Sequence, residues 1–410
     1  MDSPSPDWLV CNDHWSDLRK FRELPSIDMQ RLYAYRTARL REQMRLADVA
    51  ALVLINPVSL RYAIDYSTYA LFQSRIPSTY LFMAQEGPTV IHGAYADSPL
   101  IDRSVPARGV SFFDGGDLMS GNAKLLADDL VDYLAEIGSG NRRIAIECTN
   151  PSVTRACLQR DLEVLDGIEL AERARLIKSP DEIECMRWAI AVAELGIAKM
   201  KETMRPGITE LQLWGLLNYT NLANQGEWHE GRMLASGPRI NPWLQEASQR
   251  QIESGDLVGF DTDMVGPLGY FCDISRTFHC GPRKPSKRQK QIYRLAHEEI
   301  QHNLKLVRPG IGFREIQDAA YPIPENCQDN AYPCIIHGVG MCDEYPRINP
   351  AHRGPNPYDG VLEAGMVVTV ESYMGPLGER DGVKLEEQVL ITEDGYEMMS
   401  SYPMEADLLD

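Results

Sequence analysis

Paired thiols are missing from this sequence. Its nine cysteines are odd in number and no two stand as CxxC, which excludes a disulfide framework and a zinc ribbon. The first residues show no basic segment followed by an apolar one, so no secretory leader is expected. Long hydrophobic runs are absent too. None approaches the ~18 residues that cross a bilayer, so no membrane role is expected, and a reducing cytoplasm is the default location. Positive charge is scarce. Lys plus Arg is 41 against 59 Asp plus Glu, a net charge of −18 over 410 residues. Such a field repels phosphate backbones and argues against nucleic-acid binding. The one dense basic cluster, RKPSKRQK at 283–290, reads as a solvated loop and the start of a helix.

What is present suits a soluble enzyme of two or three domains. Hydrophobic residues make up 44% and charged residues 24%, enough to bury a large core without staples. Residues 1–26, with Trp8 and Trp15, read as an irregular extension. A helix is predicted over 28–47, then a buried strand at ALVLINP (51–57), with further strands at STYLFMAQ, TVIHG and RIAIE and a helix over 124–137. This alternation predicts an α/β domain over 27–172. The second domain, 173–410, opens on KSPDEI. There Ser179 stands at the N-cap, Pro180 at the first helical position and Glu182 completes a capping box, so a long helix should run to about Thr203. RPGITEL at 205–211 recurs as RPGIGFREI at 308–316, each copy after a long helical stretch. We expect two similar α/β halves related by pseudo-symmetry, with a site between them.

That second domain concentrates acids at strand-like positions. GDLVGFDTDM (255–264) places Asp261 and Asp263 two apart, on one face of a predicted strand. FCDISRTF (271–278) supplies Asp273 across a Gly/Pro-rich hairpin that should return it beside Asp261. IIHGVG supplies His337, VVTVE ends on Glu371, and KLEEQVLI holds Glu386 before the turn TEDG. Singly, each is most simply a solvated acid or a core histidine. Together they would repel strongly unless neutralised, and divalent cations are the natural neutralisers. Oxygen and imidazole donors suit Fe, Mn, Co or Zn, and the lack of thiolates argues against a structural zinc site. Bridging carboxylates would hold two ions ~3.5–4 Å apart.

The order Asp, Asp, HGVG, Glu, Glu resembles the pita-bread metalloenzymes: methionine aminopeptidase, prolidase, aminopeptidase P and creatinase. GDLVGFDTD, CDISRTF, HGVG, VVTVES and LEEQVLITEDG carry the likeness. ARLIKSPDEIECMR and ALVLINPVSLRYAIDY extend it to the prolidase and creatinase interdomain join and N-terminal domain. The resemblance implies that Asp261, Asp273, His337, Glu371 and Glu386 bind two metal ions, with Asp263 a sixth ligand or a hydrogen-bonding neighbour. Two departures stand out. The peptidases' HE-x-P segment is here MCDEYP (341–346), with Asp343 before Glu344, and no histidine follows the SGP turn at 236–238. Amide hydrolysis needs such proton donors. A metal pair with an aspartate base and no acid suits proton abstraction α to a carboxylate, followed by loss of a neutral leaving group. The pattern therefore looks like the dimethylsulfoniopropionate lyases of this superfamily, which implies a homodimer, iron as the metal, a sulfonium carboxylate as small-molecule substrate and Asp343 as base. Tyr332 and Trp243 are the expected substrate contacts, with Tyr270 and Tyr345 further aromatic candidates for cation–π attraction. The alternative is an Xaa-Pro dipeptidase or aminopeptidase, or a creatinase-like C–N hydrolase, which His229 in EWHEG would favour by folding into the cleft. A non-catalytic scaffold is the third reading, but such relatives usually lose ligands and this chain keeps all five.

Overall fold

The computed structural model describes residues 26–93 and 98–410. The expected extension, with Trp8 and Trp15, lies up to Pro25 outside them. Two compact units form, Asp28–Arg175 and a second whose described part includes Leu176–Asp410. Among the described residues no helix is long and apolar enough to cross a membrane.

In the first unit, helix α1 (Met29–Leu46) starts where the Asp28 carboxylate accepts the backbone N–H groups of Gln30 and Arg31. It buries Leu32, Leu40 and Met44. A six-stranded mixed sheet follows: β1 (Ala51–Leu54), β2 (Tyr80–Ala84), β3 (Val90–His92), β4 (Arg103–Val105), β5 (Arg143–Ile146) and β6 (Glu163–Asp166), in the order β4-β3-β2-β1-β5-β6. The four expected strands are β1, β2, β3 and β5. β4 and β6 are short and weakly apolar, so periodicity did not mark them. Pro57 does more than end a strand: β1 stops at Leu54, Asn56 caps the next helix and Pro57 is its first residue. Helix α2 (Met119–Glu136) packs Leu126 and Leu130 into the core with Val53, Phe82 and Ile144.

In the second unit, the Ser179–Glu182 capping box opens α3 (Pro180–Thr203). Helices α4 (Glu210–Ala223) and α5 (Lys287–Leu304) follow. The strands are β7 (Trp228–His229), β8 (Leu234–Ser236), β9 (Leu257–Asp261), β10 (Met264–Val265), β11 (Phe271–Cys272), β12 (Ser275–His279), β13 (Ile336–Val339), β14 (Asp343–Ile348), β15 (Val367–Met374), β16 (Val383–Ile391) and β17 (Tyr396–Met398). They form sheets ordered β11-β10-β7, β12-β9-β8 and β14-β13-β15-β16-β17. Side chains join the last two sheets. Thr277 donates its hydroxyl to the Lys384 carbonyl (2.8 Å) and accepts the Lys384 N–H (3.0 Å), so β12 lies beside β16.

The internal repeat is physical. Gly207 and Gly310, the glycines of the two RPG motifs, have φ of +94° and +81°. Each donates its N–H to the segment that leads into its half's acid-bearing strand: Gly207 to the Ile252 carbonyl (2.9 Å) and Gly310 to that of Leu362 (2.7 Å). Gly255 (φ +94°) and Gly365 (φ +88°) then turn the chain into β9 and β15. Each strand ends or centres on a buried acid equally far beyond its glycine, Asp261 in one half and Glu371 in the other. The two antiparallel pairs, β9 with β12 and β15 with β16, deliver acids from both halves to one place.

A Cβ on Gly207 or Gly310 would meet no neighbouring atom within 4 Å, so the cost of adding one is backbone strain alone. We expect Gly207→Ala and Gly310→Ala each to lower stability by about 1 kcal/mol or slightly more, read as a lower urea midpoint at unchanged slope.

Candidate metal centre

The acids converge because their strands are adjacent. Glu371 on β15 stands opposite Glu386 on β16. Asp261 ends β9 opposite Ser275, and the Ser275 hydroxyl donates to Glu386 Oε2 (2.9 Å). Asp273 is held from behind, its N–H donating to the Gln388 side-chain oxygen (3.0 Å). Asp261, Asp273 and Glu386 each offer a carboxylate oxygen within 4.8 Å of the others. On β13, the His337 Nε2 lies 3.2 Å from Glu371, 3.6 Å from Asp273 and 3.8 Å from Glu386. Its Nδ1 lies 3.1 Å from the Gly338 carbonyl. A carbonyl only accepts, so Nδ1 carries the proton, and Nε2, once deprotonated, is the free donor facing the acids.

The return of Asp273 to Asp261 is as expected, but the route is longer than one hairpin. β10 and β11 form a separate small sheet with β7 before the chain rejoins β12. Asp263 departs from expectation. β9 stops at Asp261, and Asp263 sits in the following loop with φ +35°. Strand alternation therefore does not orient it, and it joins none of the close ligand groups. Burial, then the charges of Asp261 and Asp343, push its pKa well up.

Lys384 went unanticipated, although it lies two residues before Glu386 on β16 and so on the same strand face. Its buried ammonium is 3.0 Å from Asp261, 2.5 Å from Glu371 and 3.2 Å from Glu386, and it donates to Ser275 Oγ at 2.8 Å. Burial alone would raise Asp261, but Lys384 overrides it and holds that carboxyl down to about 2. Asp273 and Glu386 shift the other way, pushed well up by burial and by neighbouring acids. One oxygen of each acid, Asp261 Oδ1, Asp273 Oδ1 and Glu386 Oε1, is buried without a hydrogen-bond partner. Unpartnered buried oxygens and excess negative charge are what divalent cations neutralise, and the His337 Nε2, now on Glu371, is a nitrogen ligand once its proton is displaced.

Asp343 opens β14 at the rim. Its side chain is 65% exposed, and Oδ1 lies 3.7 Å from His337 Nδ1. The neighbouring Glu344 turns inward to a buried pair with Lys178 (2.9 Å). Tyr332 borders the cage, its ring 4.5 Å from the Lys384 ammonium. Trp243 does not stand there. It is buried in the hydrophobic core and stacks on Tyr373 at 6.0 Å; a large apolar ring beside Gly259 gains more from packing than from a polar cage. Tyr270 is also structural, donating its hydroxyl to Glu182 (3.0 Å). Tyr345 stacks on Tyr358 at 5.3 Å. His229 donates its Nδ1 proton to the Thr262 carbonyl (2.8 Å) and packs edge-on against Trp214. Burial pushes its pKa down to about 4, so it is neutral near pH 7.

Two similar halves whose strands carry acids onto one imidazole define an enzyme of the pita-bread metallopeptidase class. The chain belongs to metallopeptidase family M24, matched over residues 184–393, which implies a centre of two divalent metal ions. Over 395 residues it is 35% identical to the dimethylsulfoniopropionate lyase DddP of Roseovarius nubinhibens, covering 93% of this chain and 88% of that one. The Xaa-Pro dipeptidase of Pyrococcus furiosus is 33% identical over 230 residues, 54% of this chain and 62% of that one. In structure the chain is similar to the Xaa-Pro dipeptidase from Bacillus anthracis, with a TM-score of 0.72, 23% identity, and 91% and 99% of the two chains covered.

The clustered acids destabilise the metal-free protein, so divalent metal should raise its melting temperature. At a hundredfold excess over Kd the gain is about 2.7 kcal/mol for each site. Asp273→Ala should abolish most of that rise in a thermal-shift titration.

Proposed function

We propose that this chain is a metal-dependent carbon–sulfur lyase that splits dimethylsulfoniopropionate into dimethyl sulfide and acrylate. One observation carries the reading: an open carboxylate, Asp343, stands at the rim 3.7 Å from His337, in the segment that resembles the peptidases' histidine-bearing HE-x-P. The likeness to the Roseovarius nubinhibens lyase supports it. Asp261, Asp273, His337, Glu371 and Glu386 would hold the two ions, iron before Mn, Co or Zn, with Asp263 an additional donor from its loop. When bound, the ions supply Lewis-acid stabilisation of the negative charge that develops next to the substrate carboxylate.

Asp343 takes the proton from the carbon α to that carboxylate. The electron pair left behind becomes the carbon–carbon double bond as the carbon–sulfur bond breaks. Dimethyl sulfide departs neutral, so no acid is required at the leaving group, and Asp343 later gives its proton to water. Tyr332 offers an aromatic wall to the cationic end. A homodimer and a cytoplasmic setting complete the reading.

Peptide hydrolysis is the second reading, favoured by the likeness to the Pyrococcus furiosus dipeptidase. Against it, His337 is the only histidine in the close ligand groups among the described residues. A neutral His229 committed to Thr262 is a poor proton source for a leaving amine.

The test is dimethyl sulfide in the headspace above iron-loaded protein. Asp343→Asn should keep its metal yet lose about 10²–10⁴-fold in rate, while Asp273→Ala should lose metal and activity together. Metal-replete wild type that yields no gas, but frees proline from an Xaa-Pro dipeptide, would replace the lyase with the hydrolase.

A further inference from the structure

The loop into β13 brings a thiol to the centre. Cys334 is buried, and its sulfur, a His337 ring nitrogen and a Glu371 carboxylate oxygen all lie within 4.8 Å of one another. His337 also joins Asp273 and Asp343 in a second such trio, which shares Asp273 with the one made by Asp261, Asp273 and Glu386; among the described residues no other cysteine joins such a group. The backbone around it is pinned: Ile335 accepts the Glu371 N–H (2.9 Å) and donates its own N–H to the Ile348 carbonyl (2.8 Å).

A buried cysteine is ordinarily a small hydrophobe, and this chain has examples. Cys327 packs in the large apolar cluster of the second unit together with Ile335. Cys334, one residue before Ile335, is not part of that cluster. Its neighbours are an imidazole and a carboxylate.

We propose that Cys334 is a metal ligand, its sulfur joining His337 and Glu371 on one ion of the pair. The proposal rests on the divalent metal centre and is independent of the substrate. As the metal–sulfur bond forms, the thiol proton leaves to solvent and nothing is oxidised or reduced. One thiolate among oxygen and nitrogen donors biases that position toward borderline ions such as Fe(II), Co(II) and Zn(II), and away from Mn(II) and Mg(II).

X-ray absorption on the full-length protein, stripped of metal and reloaded with zinc without oxygen, reads the ligand set directly. We expect a sulfur scatterer at about 2.3 Å in the wild type and in Cys272→Ser and Cys342→Ser, and its loss in Cys334→Ser. Cobalt-loaded protein should show thiolate-to-cobalt charge-transfer absorption that Cys334→Ser loses while its ligand-field bands remain. A zinc-loaded wild type that shows only oxygen and nitrogen scatterers overturns the proposal and leaves the metal centre intact, and this result needs no folded variant. Sulfur that persists in Cys334→Ser overturns it as well. A wild type that takes up no metal overturns both the proposal and the centre.

Discussion

Like charges gathered out of water are the constraint around which the second unit is built. Asp261, Asp273, Glu371 and Glu386 are all buried, and at 4 Å each like pair costs about 4 kcal/mol even at an effective dielectric of 20. Lys384 relieves part of this, with its ammonium reaching Asp261, Glu371 and Glu386. One ammonium does not balance four carboxylates. In the metal-free chain the remainder falls to the His337 imidazole, whose pKa burial lowers but the Glu371 and Asp343 carboxylates raise to about 9, and to protons on Asp273 and Glu386; in the loaded chain it falls to cations. The rigid surroundings follow from this need: Ser275, Thr277 and Gln388 bind β12 to β16, because acids that repel stay together only when their backbones cannot part.

The pseudo-twofold arrangement answers the same problem. Each half contributes a twisted antiparallel pair, and each pair carries one acid from a strand that begins at a left-handed glycine. Duplication thus supplies two carboxylate arms of matched reach. The halves have since diverged where the chemistry is asymmetric. His337 and Asp343 come from the second half, on β13 and β14, whereas β8, which pairs with β9 as β13 pairs with β15, carries only Leu234, Ala235 and Ser236 and brings neither histidine nor acid.

Division of labour is visible between neighbouring residues at the rim. Glu344 turns inward to Lys178 and anchors the turn, while Asp343 points into the open. A strand puts successive side chains on opposite faces, so one residue holds the loop and the next is free to act. That alternation lets a structural ion pair and an exposed carboxylate share one short segment without competing.

By itself the sequence determined the class of fold and most of the cage. The capping box at Ser179, the repeated RPG turns and the acids at the ends of apolar strands are local signals. They obey helix, turn and strand rules that hold whatever surrounds them. Asp263 shows where local reasoning ends: a two-residue spacing reads as one strand face until the strand stops at Asp261. Trp243 shows it again, since nothing in its neighbours says that it stacks on Tyr373. Tertiary structure alone placed Lys384 among the acids, Cys334 beside His337, and His229 on the Thr262 carbonyl. Lys384 meets Asp261, His229 meets Thr262, and Cys334, though only three residues before His337, meets Glu371 across longer stretches of chain; their energies depend on burial and distance, which no local pattern records.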